Sequence, residues 1–339
     1  MKHGKYLLLA LFAIFIYLFG ISSTCDNGPS DPTAGLYHTY AEIQAELQTL
    51  ANNYPAIASV ASIGKSVEQR DLWAIKISDH IDQDEDEPVV VLFGCHHARE
   101  WISVDVPFLI AKYLLENYAS DTLVARLVDN AEIWIAPMVN PDGHHYSVTN
   151  DRLWRKNRRN NGDGTYGVDL NRNYSYQWGG PGSSGDTYSD IYRGPAPFSE
   201  PETQALRDFM QQVAPKAMLS YHSYSQLILF PWGYTYTAAP DKALLDSLAV
   251  VMAHKIRSVY GKNYTPGQAA TLYLASGDTV DWLYALLGAP SYTIELRPAS
   301  SYPGFKLPES EIRPTFEENL PAALFIIDWV VGQHLILNQ

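Results

Sequence analysis

Apolar and polar residues follow two different periods along the chain, and each period predicts a different element. The segment DLWAIKIS (71–78) alternates apolar and polar residues, which is typical of a half-buried strand. The segment PVVVLFG (88–94) is continuously apolar and valine-rich, as in a strand buried on both faces. The same reasoning predicts further strands in AEIWIAPMVN (131–140), KAMLSYHS (216–223) and SYTIELR (291–297).

Helical periodicity and capping patterns predict helices between these strands. Thr39 and Glu42 form the T-x-x-E pattern of a capping box and open an amphipathic stretch that ends near Pro55. Ser199 and Glu202 form a second such pattern. Other helices are predicted after Trp101 to about Asn117 and over 241–260, 279–287 and 311–331.

The order of these elements predicts the fold class. NPDG (140–143) predicts a turn, and 158–197 predicts a long ordered loop. No repeat or linker interrupts residues 37–335. Alternating strands and helices therefore predict a single α/β domain with a central mixed, twisted β-sheet flanked by α-helices.

The N-terminal segment has the pattern of an export signal. A basic start is followed by the uncharged stretch 6–21, and the small residues SST precede Cys25. The polar stretch after Cys25 completes a site like that of bacterial lipoproteins, although Ser22 stands where an aliphatic residue is usual. We predict an export segment (1–24), a tether (25–36) and a catalytic domain (37–335).

Export implies an extracellular, periplasmic or outer-membrane-anchored protein. A lipidated Cys25 would tether it to a membrane, whereas ordinary cleavage nearby and an uncleaved anchor are the alternatives. Only residues 1–36 precede the predicted domain, so no large inhibitory prosegment is expected.

Composition excludes several functions. The 339 residues include 24 Lys and Arg against 37 Asp and Glu, a net charge of −13, which argues against nucleic acid as a partner. The two cysteines, Cys25 and Cys95, are too few for a disulfide framework or a cysteine-rich zinc module.

Candidate metal ligands follow the predicted buried strands. His97 and Glu100 are three residues apart after PVVVLFG, so a tight turn can direct both at one ion. His222 follows another buried strand and is the best third candidate, since ligands gather beyond the carboxyl ends of parallel strands. Glu295 would reach the same edge, where a carboxylate can take a proton from an activated water. His96 is a rival to His97 as a ligand, but it is expected to pack or hydrogen-bond nearby.

Seven segments in order resemble the zinc metallocarboxypeptidases of the pancreatic carboxypeptidase A/B type, including bacterial members. The resemblance covers about 37–335 and rests on GCHHAREWI (94–102), NPDG (140–143), LWRKNR (153–158), GVDLNRNY (167–174), SYHSYSQLILFPWGY (220–234), TLYLASGDTVDW (271–282) and TIELR (293–297).

The resemblance implies one Zn²⁺ per chain, bound by His97, Glu100 and His222. It implies that Glu295 is the general base and that Arg158 polarises the scissile carbonyl. The residues that it implies for substrate binding are Asn171, Arg172 and Tyr273 at the free C-terminal carboxylate, with Arg99 and Tyr224 further out in the cleft. Arg155 and Arg159, which flank Arg158, are expected to be solvated surface charges.

The specificity pocket is expected around Val280 and Thr293, with Gly233 nearby. An apolar Val280 favours hydrophobic or aromatic C-terminal side chains. Asp278 could instead pair with Lys or Arg if it points inward, or it could cap the helix that follows.

The expected function is zinc-dependent hydrolysis of the C-terminal peptide bond of peptides and proteins by a monomeric enzyme. The alternatives are a broad-specificity carboxypeptidase that also accepts Lys and Arg, a related zinc amidase or cell-wall peptidase, and a binding protein without catalysis. The set Asn171, Arg172 and Tyr273 argues against the amidase, and the presence of Glu295 argues against loss of catalysis. A serine hydrolase has little support because no G-x-S-x-G occurs.

Overall fold

Eight strands form one mixed sheet in this computed structural model, which describes residues 36–83 and 85–337. The strands are β1 (Ala58–Lys65), β2 (Asp71–Ile77), β3 (Val89–Gly94), β4 (Glu132–Ala136), β5 (Ala217–Ser223), β6 (Leu227–Phe230), β7 (Thr265–Gln268) and β8 (Ser291–Leu296). Their order across the sheet is β1-β2-β4-β3-β5-β8-β6-β7. The central strands β4, β3, β5 and β8 are parallel, so their carboxyl ends share one edge.

Helices cover both faces of the sheet. They are α1 (Tyr40–Asn53), α2 (Ile102–Asn117), α3 (Thr122–Val128), α4 (Pro141–Thr149), α5 (Pro201–Val213), α6 (Lys242–Tyr260), α7 (Thr279–Leu287) and α8 (Ile312–Leu337). Strand β3 shows why its sequence is continuously apolar. Val90 and Leu92 join one hydrophobic core, whereas Val91 and Phe93 join the core on the other face. The predicted α/β class, with a mixed sheet between helices, is confirmed.

Helix starts show where local patterns suffice and where they fail. The Thr39 capping box is present, with the Thr39 amide 2.8 Å from a carboxylate oxygen of Glu42. The second predicted box is wrong, because α5 begins at Pro201 and the Ser199 hydroxyl donates to Glu200 instead. NPDG is not an isolated turn. Its Asn140 side chain caps α4 by accepting from the Gly143 amide at 3.0 Å.

Within the described chain, one helical stretch, 309–337, is long and apolar enough to span a membrane by length and composition, with mean hydropathy 1.7. It packs against α2 and α6 and buries Ile326 and Ile327. These contacts are those of a core helix. The predicted export segment and all of the predicted tether except Leu36 lie outside the described residues.

Candidate metal centre

Three neighbouring parallel strands deliver the candidate side chains to one edge of the sheet. His222 of β5 is paired directly with Glu295 of β8. Gly94 ends β3, and a Cβ added there would lie 2.0 Å from the carbonyl oxygen of Ser103, so only glycine fits. The backbone then turns at Cys95, whose φ is 61°, and brings His97 to the same edge.

The side chains of His97, Glu100 and His222 converge on one point. Nδ1 of His97 lies 2.9 Å from Oε1 of Glu100, and Nδ1 of His222 lies 3.0 Å from Oε2. The two ring nitrogens are 3.1 Å apart, and all three residues are buried. Two imidazoles and a carboxylate, with ligand atoms within 4.8 Å of one another, match the set with which zinc hydrolases hold their metal. The residues therefore fit one zinc ion.

Asp169 links this set to a buried arginine. Its Oδ1 lies 3.1 Å from Nε2 of His97, and its Oδ2 accepts from Nε and Nη2 of Arg155 at 3.0 and 2.8 Å. Burial opposes the charge of Asp169, but Arg155 and His97 outweigh it and hold the pKa of that carboxyl well below its usual range. The carboxylate thus orients the His97 ring with Nδ1 toward the metal position.

Asp169 was not among the site residues predicted from the sequence. Its signal was available, because Asp169 lies in the segment GVDLNRNY two residues before Asn171.

The placement of Arg158 beside the scissile bond is wrong. Its guanidinium carbon lies 3.7 Å from the centroid of the Tyr146 ring and stacks on two more aromatic rings outside the cleft. Arg155 lines the cleft instead, held there by Asp169. Arg155 and Arg159 are also not solvated surface charges, because Arg155 is buried and Arg159 pairs at 2.8 Å with the buried Glu200.

Glu295 lies in the same cleft with only 8 % of its surface exposed. Burial and the charge of Glu100 raise the pKa of Glu295 well above its usual range, while Arg155 and Arg172 oppose that rise. A cation between the metal ligands would also oppose it. A buried carboxyl with such neighbours is a candidate for proton transfer.

Asn171, Arg172 and Tyr273, the residues that the resemblance assigns to the substrate carboxylate, line one recess of the cleft. The Arg172 guanidinium donates to the carbonyls of Gly182 and Asn171, both at 2.7 Å, so its orientation is fixed. The Tyr273 ring centroid is 5.8 Å from that guanidinium carbon. Tyr273 is 49 % exposed, at the mouth of the cleft.

The cleft has a volume of about 520 Å³ and an outer wall formed by Arg99, Tyr224 and Phe305. Arg99 and Tyr224, which the resemblance implies further out, line this cleft but not its inner pocket. Arg99 also pairs with Asp190 at 3.3 Å across the rim.

An inner pocket opens beside Arg172 and is mainly apolar. Its wall includes Val280, Thr293 and Asp278. Asp278 caps α7, since its Oδ1 accepts from the Asp281 amide at 2.8 Å. Its Oδ2 is buried and has no hydrogen-bond partner among the described residues. Burial raises the pKa of Asp278 to about 6. Gly233 leaves open the space beside Oδ2, where a Cβ would be 3.1 Å away.

Comparisons with known proteins agree with this geometry. Residues 43–322 match the family model described as zinc carboxypeptidase. Carboxypeptidase B of Astacus astacus is 39 % identical over 300 residues, covering 87 % of this chain and 97 % of that protein. Carboxypeptidase A2 of Rattus norvegicus is 38 % identical, covering 83 % of this chain and 67 % of that protein.

Solved structures share the fold. The crystal structure of thrombin activatable fibrinolysis inhibitor superposes with a TM-score of 0.85 at 35 % identity, covering 89 % of this chain and 76 % of that one. Carboxypeptidase A from Helicoverpa armigera gives a TM-score of 0.80 at 31 % identity, covering 88 % and 74 % of the two chains.

Proposed function

The chain belongs to the zinc carboxypeptidase family and is a metallocarboxypeptidase. From that premise we propose a catalytic or binding role for each residue of the site. The observation that carries the proposal is one cleft that holds the His97, Glu100 and His222 set, a buried carboxyl at Glu295 and two fixed arginines. Zinc, when bound, polarises a carbonyl and activates water for attack.

Glu295 is the general base. It is buried on β8 beside β5, the strand that carries His222, and accepts a proton from the attacking water. It later donates that proton to the leaving amine. Arg155 carries a permanent positive charge in a water-poor site, fixed by two bonds to Asp169. That charge stabilises the oxyanion that develops on the scissile carbonyl.

Arg172 selects for a free C-terminus. Its planar guanidinium is held by two backbone carbonyls and sits where the inner pocket meets the cleft, so it can bind a terminal carboxylate. Asn171 and Tyr273 complete that contact. A cell-wall amidase need not keep this set, so its presence argues for exopeptidase action.

The exopeptidase proposal is tested with a matched pair of peptides, one with a free C-terminus and one amidated. The free peptide should be cleaved at least about a hundredfold faster in kcat/KM, since a buried charge-assisted contact is lost in the amide. Arg172→Met should reduce that ratio toward one. Equal cleavage of both peptides by the wild-type enzyme would contradict the proposal.

The inner pocket favours hydrophobic and aromatic C-terminal side chains. Val280, Leu229, Ala269, Leu272 and Ala275 form an apolar side of the wall, and burying a Leu or Phe side chain against it contributes about 1.5–3 kcal/mol. A panel of peptides that differ only in the last residue tests this preference. Slower cleavage of Phe and Leu than of Ser and Asp would overturn it.

Acceptance of Lys and Arg is a second candidate, and the bare Oδ2 of Asp278 favours it. When ionised, this oxygen offers a negative charge beside Val280 and can pair with an ammonium or guanidinium group. In the same panel, Asp278→Asn should lose activity on C-terminal Lys and Arg while keeping activity on Phe.

Export remains a proposal that rests on the N-terminal pattern. The enzyme would be exported and, if Cys25 is lipidated, tethered to a membrane; the catalytic domain would act as a monomer. Cell fractionation and the intact mass of the mature N-terminal peptide test the location and the lipid, and size-exclusion chromatography with light scattering tests the monomer.

A further inference from the structure

The beginning of the described domain is bonded to the rim of the cleft. The Tyr37 hydroxyl donates to the backbone carbonyl of Leu307 at 2.9 Å, across 270 residues of sequence. Leu307 is buried and lies two residues after Phe305, which forms part of the outer cleft wall. The N-terminal edge of the domain therefore contacts the segment that carries a cleft-lining aromatic ring.

Arg152 joins two residues of the outer wall through their backbones. Its guanidinium donates to the carbonyl of Arg99 at 2.8 Å and to the carbonyl of Phe305. It stacks 3.6 Å from the ring centroid of Trp101, which in turn packs edge-on against Tyr37 at 5.6 Å. A planar guanidinium holds two acceptors at a fixed separation, so this contact sets where the two wall residues stand. We name Tyr37, Trp101 and Arg152 the rim clamp.

The rim clamp contacts the outer cleft wall, where the side chains of Arg99, Tyr224 and Phe305 pack together. The Phe305 ring lies 4.3 Å from the guanidinium carbon of Arg99 and 4.9 Å from the Tyr224 ring centroid, edge to face. These three line the outer cleft but not the inner pocket that receives the C-terminal side chain. The outer cleft, which this wall lines on one side, is the space open to residues upstream of the scissile bond.

We propose that Tyr37 and Arg152 are positioning residues that hold Phe305 for substrates extending upstream of the scissile bond. This inference rests on the proposed exopeptidase function. It makes the affinity for longer peptides depend on contacts from the N-terminal edge of the domain. Short substrates, which occupy only the inner pocket and the position of the scissile bond, should bind with an affinity that does not depend on the rim clamp.

Tyr37→Phe tests the inference with two substrates, an acylated dipeptide and a pentapeptide that ends in the same two residues. KM for the pentapeptide should rise about fivefold, the equivalent of about 1 kcal/mol for one hydrogen bond, with kcat unchanged. Both parameters for the dipeptide should stay at the wild-type value. Arg152→Lys keeps the charge but loses the fork, and it should show the same dependence on length.

Tyr40→Phe is the matched control. Tyr40 lies three residues after Tyr37, and its hydroxyl donates to the backbone carbonyl of Asp71 in β2, which does not line the cleft. Thermal unfolding measures the stability lost in this variant, and its KM should not depend on peptide length. A general loss of stability therefore cannot imitate the predicted result.

A double variant completes the test. Phe305→Ala should raise the pentapeptide KM, and Tyr37→Phe added to it should raise KM no further, because the two act through one contact. Additive effects, equal effects on both substrate lengths, or no effect of Tyr37→Phe would overturn the inference. Failure of the wild-type enzyme to cleave either free peptide would instead refute the proposed function, so the two failures are distinct.

Discussion

Asp169→Asn should weaken zinc binding without changing any of the three ligands. In the wild-type protein one oxygen of Asp169 contacts His97 and the other takes two bonds from Arg155. The variant keeps the shape but loses the charge, and one orientation of its amide turns an NH₂ group toward the donors of Arg155. The His97 ring loses the carboxylate that fixes its tautomer.

The magnitude follows from these contacts. Removing the carboxylate partner of a metal-bound histidine typically costs about 10- to 100-fold in metal affinity. At 1.4 kcal/mol per tenfold this is about 1.4–2.8 kcal/mol. The apoprotein should also lose about 3 kcal/mol in its free energy of unfolding, because Arg155 stays buried without its charge partner.

Zinc affinity is measured by competition with a chromophoric chelator, and unfolding is followed with and without zinc. Asp163→Asn is the control, because Asp163 is an exposed carboxylate whose hydrogen bonds go to Thr165 and Thr187 instead of to a ligand. The control should bind zinc like the wild-type protein. Affinity of Asp169→Asn within about twofold of wild type would refute the orienting role.

Three further predictions address the catalytic residues and the pocket. Glu295→Gln should lower kcat at least about a hundredfold while zinc content, measured by elemental analysis, stays at one per chain; a near-normal rate would remove Glu295 from the base role. Arg155→Met should lower kcat by about 10²–10³ in a steady-state assay, whereas Arg158→Met should stay near the wild-type rate; the reverse order would restore Arg158. Asp278 is neutral below and charged above its pKa of about 6. The ratio of kcat/KM for C-terminal Lys to that for Phe should therefore rise as pH increases through that value, and Asp278→Asn should remove the rise. A ratio that does not change with pH in the wild-type enzyme would count against charge pairing.

Local patterns identified the elements whose periodicity is strong. The capped helix α1, the helix α2 that ends at Asn117 and the helix α7 over 279–287 begin and end where the residues predict. The edge strand β1, with its mixed small and polar residues, and the short strands β6 and β7 were not predicted. Their pairing, not their own pattern, makes them strands.

The candidate metal set was accessible from the sequence for a physical reason. A continuous apolar run predicts a buried parallel strand, and ligands bind beyond the carboxyl ends of such strands. His97 and His222 follow from that rule together with the motif resemblance, and the structure brings them within 3.1 Å of each other.

The sequence by itself determined the fold class, the strand ends and the residue types that meet there, because backbone periodicity is a local property. Only the tertiary structure decided that Arg155 faces the cleft and Arg158 does not. Both belong to one basic run, and the choice depends on Asp169, fourteen residues beyond Arg155. Likewise, the contact of Tyr37 with Leu307 spans 270 residues. The burial of Arg155 and the contact of Tyr37 with the cleft rim both depend on partner residues that are distant in sequence. Only folding brings these partners together.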